Sequence, residues 1–357
     1  MFYRASGIRH TRYESDRRLW RLPFDRLLVG LVLLALVAAP FVVNSLYLGT
    51  YMLPWLVWAA ATLGLNLLMG GAGQVHLGYG AVMAIGAYGS VHLARMGLPF
   101  ELVLLAAGFL SAAIGVVFGA AALRVKGLYL AISTLAMQYL VDFVIIHVPA
   151  ISGGTQATLQ VPPVTFFGIR LSSDIDNYYL ALFVCALITL FMLNVRRSSF
   201  GRALAAVREK DYAAEIIGVS TFRYKLLAFW VSSFIGGMVG CLFAFCYYKA
   251  VTPEQFHLEL SIQLLAAVIV GGLGSVLGSF FGAALILLAP VVLNNTIGAA
   301  SRAFSLNVSA DIAAHAPLML YGALIVGFLL FEPLGLAKIY NNIRNYFVVW
   351  PFRHARR

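Results

Sequence analysis

The sequence predicts an all-α polytopic membrane protein, and its composition, its apolar runs and the placement of its basic residues support this class. Of 357 residues, 61% are hydrophobic and only 11% are charged, and the mean hydropathy is +0.88. Soluble domains carry about 25% charged residues. The chain is therefore expected to lie largely within a lipid bilayer.

The apolar runs predict about ten transmembrane helices, some of them broken or re-entrant, since a helix needs about 20 residues to cross a bilayer. The run after Leu27 is too long for a signal peptide, so we interpret it as a retained first span. The segment from Glu259 to Leu293 is one 35-residue run. It should form two short spans or one helix broken at its glycines. The predicted spans lie near 27–48, 52–69, 75–94, 100–122, 128–148, 178–195, 226–248, 260–270, 277–293 and 316–332.

The basic residues predict that both termini are cytoplasmic. Alternating spans place 21 of the 25 lysines and arginines inside: in the N-terminal segment 1–26, around residues 124–126, in a loop at 196–225 and in the tail 337–357. This bias follows the positive-inside rule. It also accounts for the net charge of +11 without nucleic acid as a partner.

Three further segments, two within the predicted transmembrane domain 27–336 and one after it, are expected to lie at the membrane surfaces. Residues 149–177 form the largest outer loop, where Pro162-Pro163 and the run 164–171 predict an extended cap. Residues 294–315 are polar and should lie along the outer surface. The tail 337–357 is basic and aromatic, which is typical of an anchor in contact with membrane lipids.

The loop 196–225 is the one strongly charged interior stretch. It carries seven basic residues and a helix-forming run over 202–218 that stops at Gly218, a residue type suited to the end of a helix. A charged helix between two spans predicts a docking surface for a cytoplasmic partner. The alternative is a solvated basic loop.

Two glycine-rich segments, at 70–82 and 271–284, echo each other in sequence. Each begins with Gly-Gly-x-Gly and continues with Leu-Gly and Gly-Ala. Glycine breaks at related places in two halves often mark a transport route, although chance similarity between glycine-rich apolar segments is an alternative. Glycines spaced by four elsewhere, as at 115/119, 236/240 and 274/278/282, are interpreted as helix-packing faces. The candidate passage residues are Gly73, Gln74, His76, Tyr79, Gly272 and Gly274.

No catalytic or metal site is expected. The three cysteines, Cys185, Cys241 and Cys246, lie in apolar runs and have no histidines at metal-ligand spacing. The sequence lacks a phosphate-binding Gly-x4-Gly-Lys-Ser/Thr loop, so this chain should bind no nucleotide cofactor. If transport is active, energy must come from a separate subunit.

Several blocks resemble the LivM-type permeases of branched-chain amino acid ABC importers. They are GLNLLMGGAGQVHLGYGAVMAIGAY (64–88), LRVKGLYLAISTLA (123–136), SGGTQ (152–156), GRALAAVREKDYAAEIIGVSTFRYKLLAF (201–229) and LLAAVIVGGLGSVLGSFFGA (264–283). The family usually has serine at His76 and histidine at Tyr79. Because of these departures, the cargo that the resemblance implies is not restricted to a branched-chain amino acid. It includes related small polar solutes such as urea, an amide or an aromatic acid.

The resemblance implies a type II importer-like permease in a bacterial inner membrane. Its partners would be a LivH-type permease, two cytoplasmic ATPases that bind ATP and Mg, and a periplasmic or surface substrate-binding protein. The helix at 202–218 would be the coupling helix. A stand-alone channel for a neutral solute is the alternative. The expected ATPase contacts are Arg202, Arg208, Glu209, Ala213, Ala214, Glu215 and Gly218.

Overall fold

The computed structural model describes residues 23–124, 128–154, 158–166, 169–171, 173–304, 310–332 and 334–349. The predicted basic N-terminus lies outside the described residues up to position 22, and the predicted tail does so from position 350.

Helices make up most of the described chain. In chain order they are α1 (Pro23–Val42), α2 (Ser45–Gly71), α3 (Tyr79–Arg95), α4 (Phe100–Ala122), α5 (Leu128–His147), the short α6 (Pro149–Ser152), α7 (Asp174–Arg197), α8 (Ser199–Glu209), α9 (Asp211–Ile216), α10 (Thr221–Leu242), α11 (Leu258–Gly271), α12 (Val276–Phe304), α13 (Ala310–Phe331) and α14 (Gly335–Val349). Helix α2 contains π-helical turns at Leu48–Met52 and Leu67–Gly71, and a third such turn, Phe243–Tyr248, extends α10.

Four short strands lie between helices of the described chain. Strands β1 (Leu159–Gln160) and β4 (Ala250–Val251) pair antiparallel. Strands β2 (Val164–Phe166) and β3 (Ile169–Leu171) form a hairpin in which Val164 pairs with Leu171. The extended conformation predicted for 164–171 is confirmed at the described positions.

Each predicted span overlaps a helix, and the all-α polytopic class is confirmed. Six helices of the described chain are long and apolar enough to cross a bilayer by themselves, or up to seven elements if α13 and α14, bent by 48°, form one span. Helix α11 has only 14 residues, about 21 Å against a hydrocarbon core of about 30 Å. The count of ten and the orientation stay predictions.

The predicted surface segment 294–315 is helical where it is described, and its placement along the membrane surface stays a prediction. Helix α12 continues through the polar residues Asn294 and Asn295 to Phe304, and α13 begins at Ala310. The hydroxyl of Thr296 donates to the carbonyl of Leu293 at 2.8 Å. Polar side chains that bond within their own helix do not end it, so the helix continues past the predicted end of the span at 293.

Helix α10 lies at the centre of the bundle and packs against α3 and α4. Glycines let these helices approach to backbone contact: a Cβ placed on Gly240 would lie 2.0 Å from the Met83 carbonyl oxygen. One placed on Gly115 would lie 2.2 Å from Ser233 Oγ. The predicted packing role of these glycine faces is confirmed, and all three cysteines are buried and free.

Candidate coupling and translocation site

The first glycine break separates α2 from α3. After the π-helical turn the chain turns at Gly73, whose φ is +68°, and residues 73–78 are not helical. The prediction placed a span from 75, so the structure shortens it by four residues. Backbone N–H groups around the start of α3 then need partners.

Side chains from other helices satisfy these N–H groups. Leu77 N donates to Thr134 Oγ1 at 3.0 Å, Gly80 N donates to Ser261 Oγ at 2.7 Å, and Ala81 N donates to Gln138 Oε1 at 2.8 Å. Helices α5 and α11 therefore fix the entry into α3.

The second glycine break separates α11 from α12, at the position predicted for the 35-residue run. Gly272 and Gly274 have φ of +118° and +77°, which side chains other than glycine rarely adopt. Asn66, near the end of α2, clamps this turn: its Oδ1 accepts from Gly274 N at 2.7 Å, and its Nδ2 donates to the Ser275 carbonyl at 3.0 Å.

The two glycine breaks lie directly against each other. A Cβ placed on Gly70 would lie 2.1 Å from Gly274 N and 2.6 Å from Gly274 Cα. The segments whose sequences echo each other thus meet backbone to backbone, with Asn66 bonded beside the contact.

The polar residues after the first break lie inside the chain. His76 and Tyr79 are buried, and the His76 ring packs on Tyr79 and Phe229 with centroids 5.9 and 5.4 Å apart. Tyr79 donates to the Ser232 carbonyl at 3.1 Å. In this conformation both side chains belong to the packed interior rather than to an open surface. Their role in the passage stays a prediction.

Gln74 and His76 nevertheless have unsatisfied polar atoms. Gln74 Oε1 and His76 Nε2 are buried without a hydrogen-bond partner in the described part of the chain, whereas His76 Nδ1 accepts from Gly78 N at 3.0 Å. Buried polar atoms without partners are costly. A rearrangement that exposes this segment would relieve that cost.

The predicted helix over 202–218 is wrong as a single element, because the backbone is extended at Lys210 (φ −151°, ψ 101°). Helix α8 ends at Glu209, and α9 restarts at Asp211. The carboxylate of Asp211 lies in the first turn of α9, where it is favoured by the helix dipole. It also accepts from Lys225 Nζ of α10 at 2.6 Å. This tertiary ion pair accompanies a break that local helix propensity does not indicate.

Gly218 ends α9 as predicted. Its φ is +86°, Gly218 N donates to the Glu215 carbonyl at 3.0 Å, and Val219 N donates to the Ala214 carbonyl at 2.9 Å. This pair of bonds is the Schellman motif.

All of the expected ATPase contacts except Ala214 are exposed. They are Arg202, Arg208, Glu209, Ala213, Glu215 and Gly218. Ala214 is buried against its own chain, and its contact with an ATPase stays a prediction. Arg208 reaches inward and donates to the Gly70 carbonyl.

Glu215 has an explanation within the chain. A carboxylate in the last turn of a helix is unfavourable, and a basic partner would offset that cost. Its Oε1 instead accepts from the Thr221 hydroxyl in the first turn of α10, where the dipole favours negative charge. Glu215 therefore has a donor within its own chain, and its contact with an ATPase stays a prediction.

The sequence analysis missed two kinds of residue at the candidate site. Asn66 and Gln138 are polar residues within apolar runs, and a polar residue inside a predicted span could have indicated them. Ile216 and Ile217 expose 86% and 73% of their surface at the tip of the charged loop. Two adjacent large apolar residues within a charged loop could have indicated this exposed pair.

Comparison with known families matches residues 47–330 to the family described as "Branched-chain amino acid transport system / permease component". The matched range contains both glycine breaks and the whole 196–225 loop. The chain belongs to this permease family. It is therefore a multi-pass membrane permease subunit of the ABC transporter class, without a catalytic role of its own.

Relatives within the permease family agree with the match. The high-affinity branched-chain amino acid transport system permease protein LivM of Escherichia coli (strain K12) is 33% identical over 335 residues, covering 87% of this chain and 74% of that protein. The LivH protein of the same organism is 24% identical over 241 residues, covering 63% of this chain and 78% of that protein. Among solved structures, PsaBC from Streptococcus pneumoniae in complex with Fab matches with a TM-score of 0.43 and 14% identity, over 86% of this chain and 99% of that chain.

Proposed function

We propose that this chain is a permease subunit of an ABC importer that moves branched-chain amino acids, or related small polar solutes such as urea, amides or aromatic acids, into a bacterial cell. The 33% identity to a LivM protein over most of the chain carries the proposal. The passage would lie between this chain and a LivH-type permease. A substrate-binding protein would deliver the solute from outside.

The 196–225 loop is the proposed contact with two cytoplasmic ATPases, which bind ATP and Mg. The loop carries seven basic and three acidic residues and exposes an apolar tip formed by Ile216 and Ile217. Exposed apolar patches rimmed by polar residues mark interaction sites. ATP-driven closure of the ATPases would press on this loop and switch the passage from outward-open to inward-open.

Contacts between connecting segments support the proposed topology of ten spans with both termini inside. Segments that this topology places outside contact each other: Arg95 donates to the Gln160 carbonyl at 3.1 Å, and Lys249 pairs with Asp174 at 2.8 Å. The strands β1 and β4, both on the proposed outer side, also pair. On the proposed inner side, Arg208 contacts the first glycine break.

Copurification tests this function. An affinity-tagged chain, expressed with the genes encoded beside it, should recover a second permease and two ATPase copies in stoichiometric amounts, because the chain lacks a nucleotide-binding loop. A stable homo-oligomer that conducts solute without ATPases would instead establish a channel and sink the importer proposal.

A further inference from the structure

Arg208 connects the proposed docking loop to both glycine breaks. Its Nη1 donates to the carbonyl oxygen of Gly70 at 2.5 Å. A Cβ placed on Gly73 would lie 3.2 Å from Arg208 Cγ, and one placed on Gly274 would lie 3.3 Å from Arg208 Nη1. The stem of this side chain thus runs along the first break, and its guanidinium lies beside the second.

The chemistry of this contact favours a cation. The Gly70 carbonyl belongs to the last turn of α2, where carbonyl groups lack partners within the helix and the dipole is negative. A guanidinium satisfies such a group with a charge-assisted hydrogen bond. Arg208 therefore holds the end of α2 from a helix that lies 138 residues later in the sequence.

Helix α8 is also seated on the bundle by its apolar face. Leu204 and Val207 are buried, and a Cβ placed on Gly71 would lie 3.9 Å from Leu204 Cδ1. A displacement of α8 would therefore act on the end of α2 both through packing and through the Arg208 bond.

Arg202 provides a contrast on the same helix. It is exposed, and its guanidinium bonds locally, to the Arg197 carbonyl at 3.0 Å and to Ser199 Oγ at 2.9 Å. Both arginines of this short helix are exposed, but their partners differ: Arg202 bonds within its own loop, and Arg208 bonds to the end of α2.

We propose that Arg208 is a positioning residue that transmits movement of the 196–225 loop to both glycine breaks, so that ATP hydrolysis rearranges residues 73–78 and 272–275 together. This inference rests on the proposed function. Because Gly70 and Gly274 touch, a shift of one break must displace the other.

Labelling of a cysteine beside the first break tests the proposal without knowledge of the solute. Val75 is 43% exposed, and the three native cysteines are buried, so Val75→Cys gives one reporter for a maleimide dye. In the assembled complex, the labelling rate should change several-fold between the nucleotide-free state and the state trapped with ATP and vanadate.

Arg208→Met, which keeps the aliphatic stem but removes the donors, should make the two labelling rates equal in the complexes that retain the ATPases. Arg208→Lys keeps one cationic donor and should retain part of the response. Arg202→Met, the matched variant, should reduce ATPase retention, while the complexes that remain still respond to nucleotide.

An unchanged labelling response in Arg208→Met would overturn the inference, and so would an absent response in the Val75→Cys reporter itself. Failure of both Arg208 variants to accumulate in the membrane would assign the residue to folding and would also overturn it. These outcomes differ from failure of the proposed function, in which the reporter chain recovers no ATPase subunits.

Discussion

At the scale of single residues, Ile216 and Ile217 are the strongest candidates for contact with a partner. Large apolar residues are common on the lipid-facing surface of a membrane protein, but these two lie in the charged 196–225 loop, between Glu215 and Arg223. Burying an isoleucine contributes about 1.5–3 kcal/mol. A partner that covers both residues would therefore gain enough free energy to determine assembly.

Replacing both isoleucines with serine should weaken retention of the ATPase subunits more than tenfold, since about 3–6 kcal/mol of apolar burial would be lost. Retention is measured as the ratio of ATPase to permease on affinity beads. The Ile216→Val, Ile217→Val double variant removes only one methylene from each side chain and serves as the control. Equal retention by the serine and valine variants would show that this tip is not the docking surface.

At the scale of elements, the sequence predicted the breaks but not their contacts. Long apolar runs and Gly-Gly-x-Gly segments predict where spans lie and where they stop, because both are local properties. The break at Lys210 accompanies the ion pair between Asp211 and Lys225, which are 14 residues apart. The burial of His76 depends on Phe229, which is far away in the chain. Neither contact is visible in a local pattern.

The contact between the breaks gives a sharp test at one position. Gly70→Ala would place a Cβ 2.1 Å from Gly274 N and 2.2 Å from Asn66 Oδ1, so the two backbones must separate. Overpacking of this kind costs about 1–3 kcal/mol. Thermal unfolding of the purified complex should occur at a lower temperature than in the wild type.

Gly322→Ala is the matched control for this variant. Gly322 lies inside α13, where an added Cβ would meet no atom of the described residues within 4 Å, and alanine favours a helix interior over glycine by about 1 kcal/mol. Its unfolding temperature should equal or exceed that of the wild type. If both variants unfold at the same temperature, the two breaks are not in contact.

At the scale of the whole molecule, charge and contacts support one arrangement. The 196–225 loop and both glycine breaks lie at ends of spans that the basic residues predict to be cytoplasmic. The second permease, the ATPases and the solute could be inferred only from resemblance, because their recognition depends on surfaces that one chain does not contain. The central claim is that ATP hydrolysis by separate subunits drives transport through this chain.

Solute accumulation in proteoliposomes tests that claim most directly. Vesicles containing this chain, the second permease and the ATPases are given the binding protein and, in parallel, labelled leucine, urea, acetamide and benzoate. We expect at least one solute to accumulate above its outside concentration when ATP and Mg reach the ATPases, and none to enter when the ATPases are omitted. Equilibration of a solute through this chain without ATPases, or no accumulation of any of the four with ATP, would contradict the account.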